Sequence, residues 1–216
     1  MKEYQKIETV FERDTQTKKL LFGKFRNPTV KYLASNEWNV TEKIDGTNIR
    51  VLWDGHKFSF GGRTDKAEVP KPLLEKLNSL FNYKQEQIFE QIFGEKEVII
   101  FGEGIGEKIQ CGLYGKEYRF LVFDIMINGK YLRLSDTIHI CNQLSLETVP
   151  VWNDTMSLTD LLTAIWTNDE IQRASSELGG ESGNVEGFVV RPTETIYDNN
   201  LDRVIVKLKF RDFKEK

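Results

Sequence analysis

Alternation between apolar and polar residues is more frequent along the chain than helical spacing, and this period of two predicts β-strands. The alternation runs through residues 38–44, 48–64, 97–106, 118–129, 183–192 and 202–210. The second of these segments contains Asp54-Gly55, a dipeptide that favours a tight turn, so we predict a hairpin there.

Apolar residues recur at helical spacing in four other segments. Prolines stand at the start of the first, and we predict a helix from about Pro72 to Phe81, followed by another at residues 84–93. Residues 134–144, with Ser135 as the predicted N-cap, and residues 157–178 are also helical in pattern. Strands and helices mix without a regular βαβ rhythm, which favours an α+β fold over a doubly wound sheet.

Composition is that of an ordinary globular protein, with 39% hydrophobic and 29% charged residues among 216. The net charge of −3 excludes a basic coat over the whole surface, so any polyanion site must be local. Cys111 and Cys141 form no CxxC or Cys/His cluster, which indicates a reducing compartment and no structural zinc. The charged N-terminus and the lack of long apolar runs predict a cytoplasmic protein without a membrane segment. We expect one domain over residues 1–216.

Five charged residues lie in or at the edge of strand-like runs that otherwise look buried: Lys43, Glu103, Glu186, Lys207 and Lys209. Charges in such places are costly unless they are paired or bound to a ligand. One or two of them would be unremarkable on the rim of a half-exposed strand, but five together indicate a functional site. Three lysines and two carboxylates suit a phosphate-rich ligand and a divalent cation.

The two lysines near the end of the sequence alternate with Val206, Leu208 and Phe210. A strand sends alternate side chains to opposite faces, so we predict both lysines on one face and the three apolar residues on the other. The lysine face either meets solvent or lines a binding site.

In linear order the chain resembles the covalent nucleotidyltransferase superfamily of DNA ligases, RNA ligases and mRNA capping enzymes. A KxDG motif alone is weak evidence, because short patterns recur by chance. Here five blocks follow in family order over residues 41–210. They are Lys43-Ile44-Asp45-Gly46, Glu103 in FGEG, Phe123 in FLVFDIM, Glu186 in EGFVVR, and Lys207 with Lys209 in VKLK.

The resemblance implies an α+β nucleotidyltransferase (ATP-grasp-like) domain of two antiparallel β-sheets flanked by helices. It implies that Lys43 displaces pyrophosphate from ATP and holds AMP as a phosphoramidate, with Mg²⁺ or Mn²⁺ as the metal. A lysine amine with the reference pKa of about 10.4 is mostly protonated at neutral pH and not nucleophilic. Burial and neighbouring cations lower such a pKa.

The resemblance also assigns roles to the other motif residues. Lys207 and Lys209 would neutralise charge on the α-phosphate, and Phe123 would stack on adenine, although a core aromatic is the alternative for that ring. Glu103 would accept from the ribose hydroxyls, and Glu186 would help coordinate the metal, directly or through water.

Residues around the KxDG motif complete the implied site. Glu42 and Ile44 flank the nucleophile and count as nucleotide-binding, while Asp45 and Gly46 support the motif. Gly46 would let the backbone turn closely beside the nucleotide.

Two features favour the branch of RNA ligases that seal nicks. Thr47-Asn48 follows the motif as in the KxxGTN sequence of those ligases, and Asn48 is carried over as a functional residue. The sequence ends at Lys216, shortly after Lys209, so we expect no OB domain. Arg63 in GGRTD matches an arginine that those ligases place near AMP and the nucleic-acid ends; an ordinary turn cation is its alternative.

These expectations describe an ATP-dependent RNA ligase that joins 3′-hydroxyl and 5′-phosphate ends in RNA repair. Its substrate would be a nicked RNA duplex or RNA ends, or an RNA/DNA hybrid. A protein partner would replace the C-terminal domain of fuller members, or residues 6–25 would supply cations to the nucleic acid; that segment also fits a plain edge strand and hairpin. The alternatives are a minimal DNA ligase, a GTP-using capping enzyme, and a non-catalytic nucleic-acid-binding relative.

Overall fold

A computed structural model describes residues 1–110, 114–173, 176, 178 and 185–213. In this part of the chain the strands are β1 (Glu8–Thr9), β2 (Phe11–Arg13), β3 (Leu20–Phe25), β4 (Glu37–Glu42), β5 (Thr47–Trp53), β6 (Phe58–Gly61), β7 (Val98–Ile105), β8 (Arg119–Ile127), β9 (Lys130–Tyr131), β10 (Val151–Ser157), β11 (Gly187–Pro192) and β12 (Val206–Lys209). The helices are α1 (Pro28–Tyr32), α2 (Lys71–Leu80), α3 (Tyr83–Phe93), α4 (Leu134–Gln143), α5 (Leu158–Thr167) and α6 (Asp169–Gln172).

The chain divides into two compact units, each with its own five-stranded sheet. Of the described residues, the first unit holds 1–4, 45–149 and 178. The second unit holds residues 5–44, 150–173, 176 and 185–213. The two boundaries near residue 44 and residue 150 fall between strands, so neither sheet is cut.

The first unit is built on an antiparallel sheet with strand order β6-β5-β7-β8-β9. The predicted hairpin at Asp54-Gly55 is confirmed, because Trp53 pairs with Phe58 across that turn. Apolar residues on one face of the sheet, such as Val51 and Val122, pack with the buried faces of α2, α3 and α4. Both predicted helices after residue 70 are therefore confirmed, and each buries the apolar stripe that predicted it.

A β-bulge interrupts β8 beside the central strand β7. Phe101 is paired with Asp124 and Gly102 with Val122, which leaves Phe123 as the extra residue. A bulge of this kind re-aims the extra side chain. Phe123 is half-buried against a second apolar cluster that contains Phe101 and Met126.

The second unit contains a sheet with strand order β1-β12-β11-β4-β10 and a separate hairpin of β2 and β3. The expectation of purely antiparallel sheets is wrong for one pair, because the short strand β1 runs parallel to β12. The hairpin predicted for residues 6–25 is confirmed. The core of this unit joins buried residues of β4, β11 and β12 to α5 through Trp38, Phe188, Leu208 and Leu161.

Two helix predictions needed correction. Ser135 is not the N-cap of α4, because the helix begins one residue earlier and Arg133 takes the cap position without a side-chain cap bond. The helix predicted for residues 157–178 ends at Thr167. Asn168 Oδ1 then accepts from the Glu170 backbone amide and starts the short α6, since an asparagine favours the cap over the helix interior. The last residues of that prediction, 174, 175 and 177, lie outside the described part.

No helix in the described part of the chain has both the length and the apolar character needed to cross a membrane. Cys141 is buried and not in a disulfide, and burial raises the pKa of its thiol to about 12. Such a thiol is a core residue rather than a nucleophile. Cys111 lies outside the described residues.

Candidate functional site

Three neighbouring strands of the second unit explain why distant charged residues meet. β11 is paired with both β4 and β12 and runs antiparallel to each, so its beginning lies beside the ends of both neighbours. Lys43 follows β4, and its backbone amide donates to Gly187 O at 2.9 Å. Lys209 ends β12 opposite Gly187. Glu186, which immediately precedes β11, is therefore flanked by the two lysines.

The Glu186 carboxylate holds both lysines by charge-assisted hydrogen bonds. Lys43 Nζ donates to Oε2 and Lys209 Nζ donates to Oε1. The three side chains are only 17–22% exposed. Burial alone would raise the pKa of Glu186, but the hydrogen bonds from Lys209 and Lys43 outweigh it and hold this pKa below its ordinary value. Glu186 is therefore ionised at neutral pH, and it bridges two cations.

Lys207 lies on the same face of β12, two residues before Lys209. The alternation predicted from the sequence is confirmed, since Val206 and Leu208 are buried in the core while both lysines are half-buried. Burial lowers the pKa of the Lys207 amine, and the nearby charges of Lys209 and Lys43 lower it further. The positive charges on this face repel one another, and a bound anion would reduce that repulsion.

Gly187 allows β11 and β12 to approach at the cluster. A side chain at this position would overlap the backbone carbonyl oxygen of Leu208 and lie 2.9 Å from Lys209 Cα. Its φ of +154° is also one that other residues rarely adopt. The close approach of β11 and β12 therefore explains the glycine of the EGFVVR motif.

Glu42 and Ile44 flank Lys43 on the buried side of the strand end. Both are 5% exposed. Glu42 Oε2 accepts from Ser176 Oγ at 2.9 Å. Lys43 is therefore flanked in sequence by two buried side chains.

In the first unit, the predicted residues lie on the central strands of the sheet. Asn48 on β5 is directly opposite Glu103 on β7, so their side chains project from the same face. Phe123 follows on the adjacent strand β8, at the bulge. Asn48 Oδ1 is buried, and no donor in the described chain reaches it. An unsatisfied buried amide oxygen is unusual and suits a site that receives a ligand.

The backbone after Lys43 packs closely on the strand that carries Glu103. A side chain at Gly46 would lie 2.8 Å from Glu103 Cγ and overlap the carbonyl oxygen of Gly104. The Asp45 backbone amide donates to the Tyr114 hydroxyl at 3.0 Å. Glycine is therefore required at the fourth position of the motif by contact with β7.

The Phe123 ring contacts an aromatic residue near the N-terminus. Tyr4 lies edge-on to it, with ring centroids 4.9 Å apart and an interplanar angle of 65°. The Tyr4 hydroxyl donates to the buried carboxylate of Asp124. Tyr4 thus fixes the bulge and the ring together, so one side of Phe123 is engaged by the protein itself.

Arg63 is exposed in the loop after β6. A second arginine, which sequence reasoning did not single out, holds that loop. Arg50 is fully buried, and it donates to Gly62 O at 2.6 Å and to Asp65 Oδ1 at 2.9 Å. Its third bond, of 2.8 Å, goes to the backbone oxygen of Met1. The signal was present in NIRVLW, where a charge interrupts a buried strand.

The structure therefore gathers the predicted site residues in two groups, one in each unit. The second unit holds Glu42, Lys43, Ile44, Glu186, Lys207 and Lys209, and the first holds Asp45, Gly46, Asn48, Glu103 and Phe123, with Arg63 on its loop. Among the residues that the structure describes, no group of three or more His, Cys, Asp or Glu side chains could hold a metal ion. A divalent ion at Glu186 would take most of its ligands from water and from a bound phosphate.

Comparison with known proteins defines the class. A family model described as RNA ligase matches residues 36–209, which include both groups of site residues. The chain therefore belongs to the RNA ligase family.

Solved structures of the RNA ligase of Naegleria gruberi have a similar fold. One variant of that ligase, with ATP and Mn, is 18% identical and has a TM-score of 0.67, over 95% of this chain and 55% of that one. Another variant, with AMP and Mn, is 19% identical and has a TM-score of 0.63, over 84% of this chain and 52% of that one. The present chain thus spans about half the length of the solved ligases it matches.

Proposed function

We propose that the chain is an ATP-dependent RNA ligase that joins 3′-hydroxyl and 5′-phosphate ends through a covalent lysyl-AMP intermediate. The observation that carries this proposal is the cluster in which Glu186 holds Lys43 and Lys209 beside the half-buried Lys207. On the motif resemblance these residues would handle the nucleotide, and the RNA ligase family model covers all four positions. On this proposal, residues 1–216 serve as one ATP-grasp-like nucleotidyltransferase domain.

In the first step, Lys43 Nζ attacks the α-phosphorus of ATP. A P–N bond forms, the bond to the β-phosphate oxygen breaks, and pyrophosphate leaves. The Lys43 ammonium must first lose a proton, which passes to solvent water, and its ion pair with Glu186 is lost together with that charge. A divalent metal bound with the nucleotide would add positive charge near the lysine and would favour that loss.

Lys207 and Lys209 neutralise the transferring phosphoryl group. Negative charge develops on its oxygens as the bond to pyrophosphate breaks, and fixed cations stabilise that charge more than the ground state. Burial and the charges of Lys209 and Lys43 lower the pKa of Lys207, and a bound anion would stabilise its charged form. Once Lys43 no longer pairs with Glu186, one oxygen of the Glu186 carboxylate would be available to a metal ion.

The residues of the first unit supply nucleotide recognition in this proposal. Glu103 accepts from the ribose hydroxyls, and the exposed part of Phe123 stacks on adenine. Asn48 carries the clearest support, because its buried Oδ1 has no donor in the described chain and a bound ligand would provide one. Glu42 and Ile44 hold the strand end that presents Lys43.

Mg²⁺ or Mn²⁺ would bind at Glu186 and the phosphates, and it would neutralise charge on the leaving pyrophosphate. The solved ligases that resemble this chain carry ATP or AMP with Mn. These bound groups support ATP and a divalent metal as the nucleotide and metal of this chain.

The later steps concern the polynucleotide. AMP moves from Lys43 to a 5′-phosphate, and the 3′-hydroxyl then displaces AMP to form the phosphodiester. The substrate in this proposal is a nicked RNA duplex or RNA ends, an RNA/DNA hybrid being the variant to test, with Arg63 near the ends. A protein partner for nick binding, cytoplasmic localisation and a role in RNA repair stay predictions.

Incubation with labelled ATP or labelled GTP, followed by denaturing electrophoresis, tests the first step. Label retained from ATP supports the ligase. Label retained only from GTP would indicate a capping-type enzyme. No label from either nucleotide would indicate a non-catalytic nucleic-acid-binding relative.

Sealing of matched nicks then separates RNA ligase from minimal DNA ligase. The nicks differ only in RNA or DNA on the 3′-hydroxyl strand, the 5′-phosphate strand and the template. We expect the fastest sealing with RNA at the 3′-hydroxyl side, because the 2′-hydroxyl distinguishes RNA from DNA at a site. Equal or faster sealing of all-DNA nicks would contradict the assignment of RNA as substrate.

A further inference from the structure

A cationic groove lies on the N-terminal part of the second unit. Its volume is about 480 Å³, within the roughly 300–1,000 Å³ of typical ligand pockets. Basic side chains from five separate segments line it: Lys6, Arg13, Lys18, Arg26 and Arg211. Lys207 and Lys209 line the same groove, so it is continuous with the face that carries the proposed phosphate-binding lysines.

The charge of this groove departs sharply from that of the whole chain. The chain has a net charge of −3, yet the groove lining carries seven basic residues and a single carboxylate, that of Glu8. Glu8 already binds Lys6 at 2.8 Å and lies 3.5 Å from the Arg26 guanidinium. The remaining positive charge is suited to a polyanion, because clustered like charges repel until an opposite charge binds.

The groove is held in shape by the fold. Arg13 Nη2 pairs with Asp212 Oδ2 at 2.5 Å, and Arg13 Nη1 donates to the Lys18 backbone oxygen at 2.8 Å. Strand β1 pairs with β12 at Thr9 and Lys207, which fixes the N-terminal segment against the lysine strand. The edge strand and hairpin of residues 6–25 are therefore confirmed, and the same segment brings Lys6, Arg13 and Lys18 to the groove.

An exposed aromatic pair borders the cations. Phe22 and Trp166 are 40% and 39% exposed, with ring centroids 4.6 Å apart. Phe22 also lines an adjoining groove with Arg13, Lys18 and Arg211. Aromatic rings beside cations suit a polynucleotide, whose bases and sugars need apolar contact, better than an inorganic polyphosphate.

We propose that this groove binds the phosphodiester backbone of the RNA substrate; the inference rests on the proposed function and adds a substrate subsite to it. Contacts to backbone phosphates set the position of a nucleic acid rather than its sequence. Because Lys207 and Lys209 line the same groove, a strand held there is led toward the lysines that act on the phosphoryl group. The groove therefore gives this chain a means of holding RNA within its own residues.

The test combines three substitutions of groove cations: Lys6→Gln, Lys18→Asn and Arg211→Gln. They leave the Arg13–Asp212 pair intact, and Lys6→Gln removes only an exposed ion pair with Glu8. Asparagine suits position 18, where φ is +61°. The matched control carries Lys57→Gln, Lys84→Gln and Lys96→Gln, three exposed lysines of the first unit. Binding of a nicked RNA duplex is measured at salt concentrations from about 50 to 200 mM, together with the rate of lysyl-AMP formation from ATP.

We expect the salt dependence of RNA binding, log K against log[salt], to become shallower by about 3 in the groove variant, with affinity at least about tenfold weaker. The control should match wild type, and lysyl-AMP should form at the wild-type rate in both. Glu8→Gln should bind RNA more tightly than wild type, a gain that misfolding cannot produce.

Two results would overturn the inference. An unchanged salt slope in the groove variant would show that the RNA backbone does not bind in the groove. Lysyl-AMP formation that slows in step with RNA binding would instead assign the groove to the ATP triphosphate. Failure of the proposed function has a different signature, because wild-type protein would then form no lysyl-AMP at all.

Discussion

At the residue scale, substitutions of Lys207 and Lys209 test whether their face of the strand meets solvent or lines a phosphate site. On a solvent face, replacing either lysine with Met would change stability by less than about 0.5 kcal/mol and leave activity alone. In the proposed site, losing one such cation should cost roughly 2.7 to 4 kcal/mol in the chemical step, a rate loss of about a hundredfold or more. Single-turnover rates of lysyl-AMP formation and of sealing measure this loss, with Lys84→Met at an exposed position of α3 as the control.

Stability distinguishes the two lysines further. Burial of Lys207 disfavours its charge, so Lys207→Met should fold as stably as wild type. Lys209→Met should be less stable, because Glu186 loses one of its two partners. Wild-type rates in both variants would show that neither lysine acts in the active site.

Glu186 predicts a defined pH dependence of folding. Its pKa in the folded chain lies below the value of about 4.3 expected when unfolded. The unfolded chain therefore binds more protons in this range, so the stabilisation from this carboxylate is complete above about pH 4.3 and disappears as the pH falls through the folded pKa. Glu186→Gln should be less stable than wild type at neutral pH, and the difference should shrink on acidification.

Denaturant unfolding at a series of pH values measures that difference. The same variant should also lose lysyl-AMP formation, since it removes the proposed metal ligand. A stability difference that stays constant from neutral pH to about pH 3 would show that the ion pairs with Lys43 and Lys209 contribute nothing in solution.

The sequence alone predicted which charged residues matter at the site, but not how they pair. The charges at Lys43, Glu186 and Lys209 were visible because each stands against an apolar background. The direct pairing of all three was not visible, because it depends on strands far apart in sequence lying side by side. Arg50 has the same sequence signal, but its partners come from a loop and from the first residue.

At the scale of elements, the start of β11 is the feature on which the cluster depends. Gly187→Ala would place a methyl group on the Leu208 carbonyl oxygen and at a φ that alanine avoids, so the strands must separate there. We expect a loss of at least about 1–3 kcal/mol in stability together with loss of lysyl-AMP formation, measured by denaturant unfolding and by labelling.

Gly129→Ala is the matched control for that substitution. Gly129 also has a positive φ, of +79°, but nothing lies within 4 Å of an added side chain. It should lose only about 1–2 kcal/mol from backbone strain and keep full activity. Equal effects of the two substitutions on activity would contradict the role assigned to close strand approach at Gly187.

Local pattern predicted most elements, and the misses have physical causes. The parallel pairing of β1 to β12 escaped prediction, because two residues carry no period and the partner lies at the other end of the sequence. The bulge at Phe123 adds one residue without disturbing an apolar run. Strand β10 has a polar sequence, VWNDTMS, whose strand character comes from its pairing with β4.

At the scale of the molecule, net charge predicted only that a polyanion site would be local. The N-terminal segment, the hairpin and Arg211 after β12 bring that local charge together around Lys207 and Lys209. Family membership over residues 36–209 and the arrangement of the motif lysines point to the same chemistry, one from comparison and the other from geometry.

The most direct test of the account is to locate AMP on the protein after incubation with ATP and Mg²⁺ or Mn²⁺. Proteolysis and mass spectrometry should find a single adenylylated peptide, with the phosphoramidate on Lys43 in TEKIDGTN. Lys43→Ala should form no adduct, yet still seal pre-adenylylated RNA slowly, because the lysine's covalent role ends once AMP has been transferred. An adduct on another residue, or labelling of the Lys43→Ala protein, would contradict the assignment of Lys43 as the nucleophile.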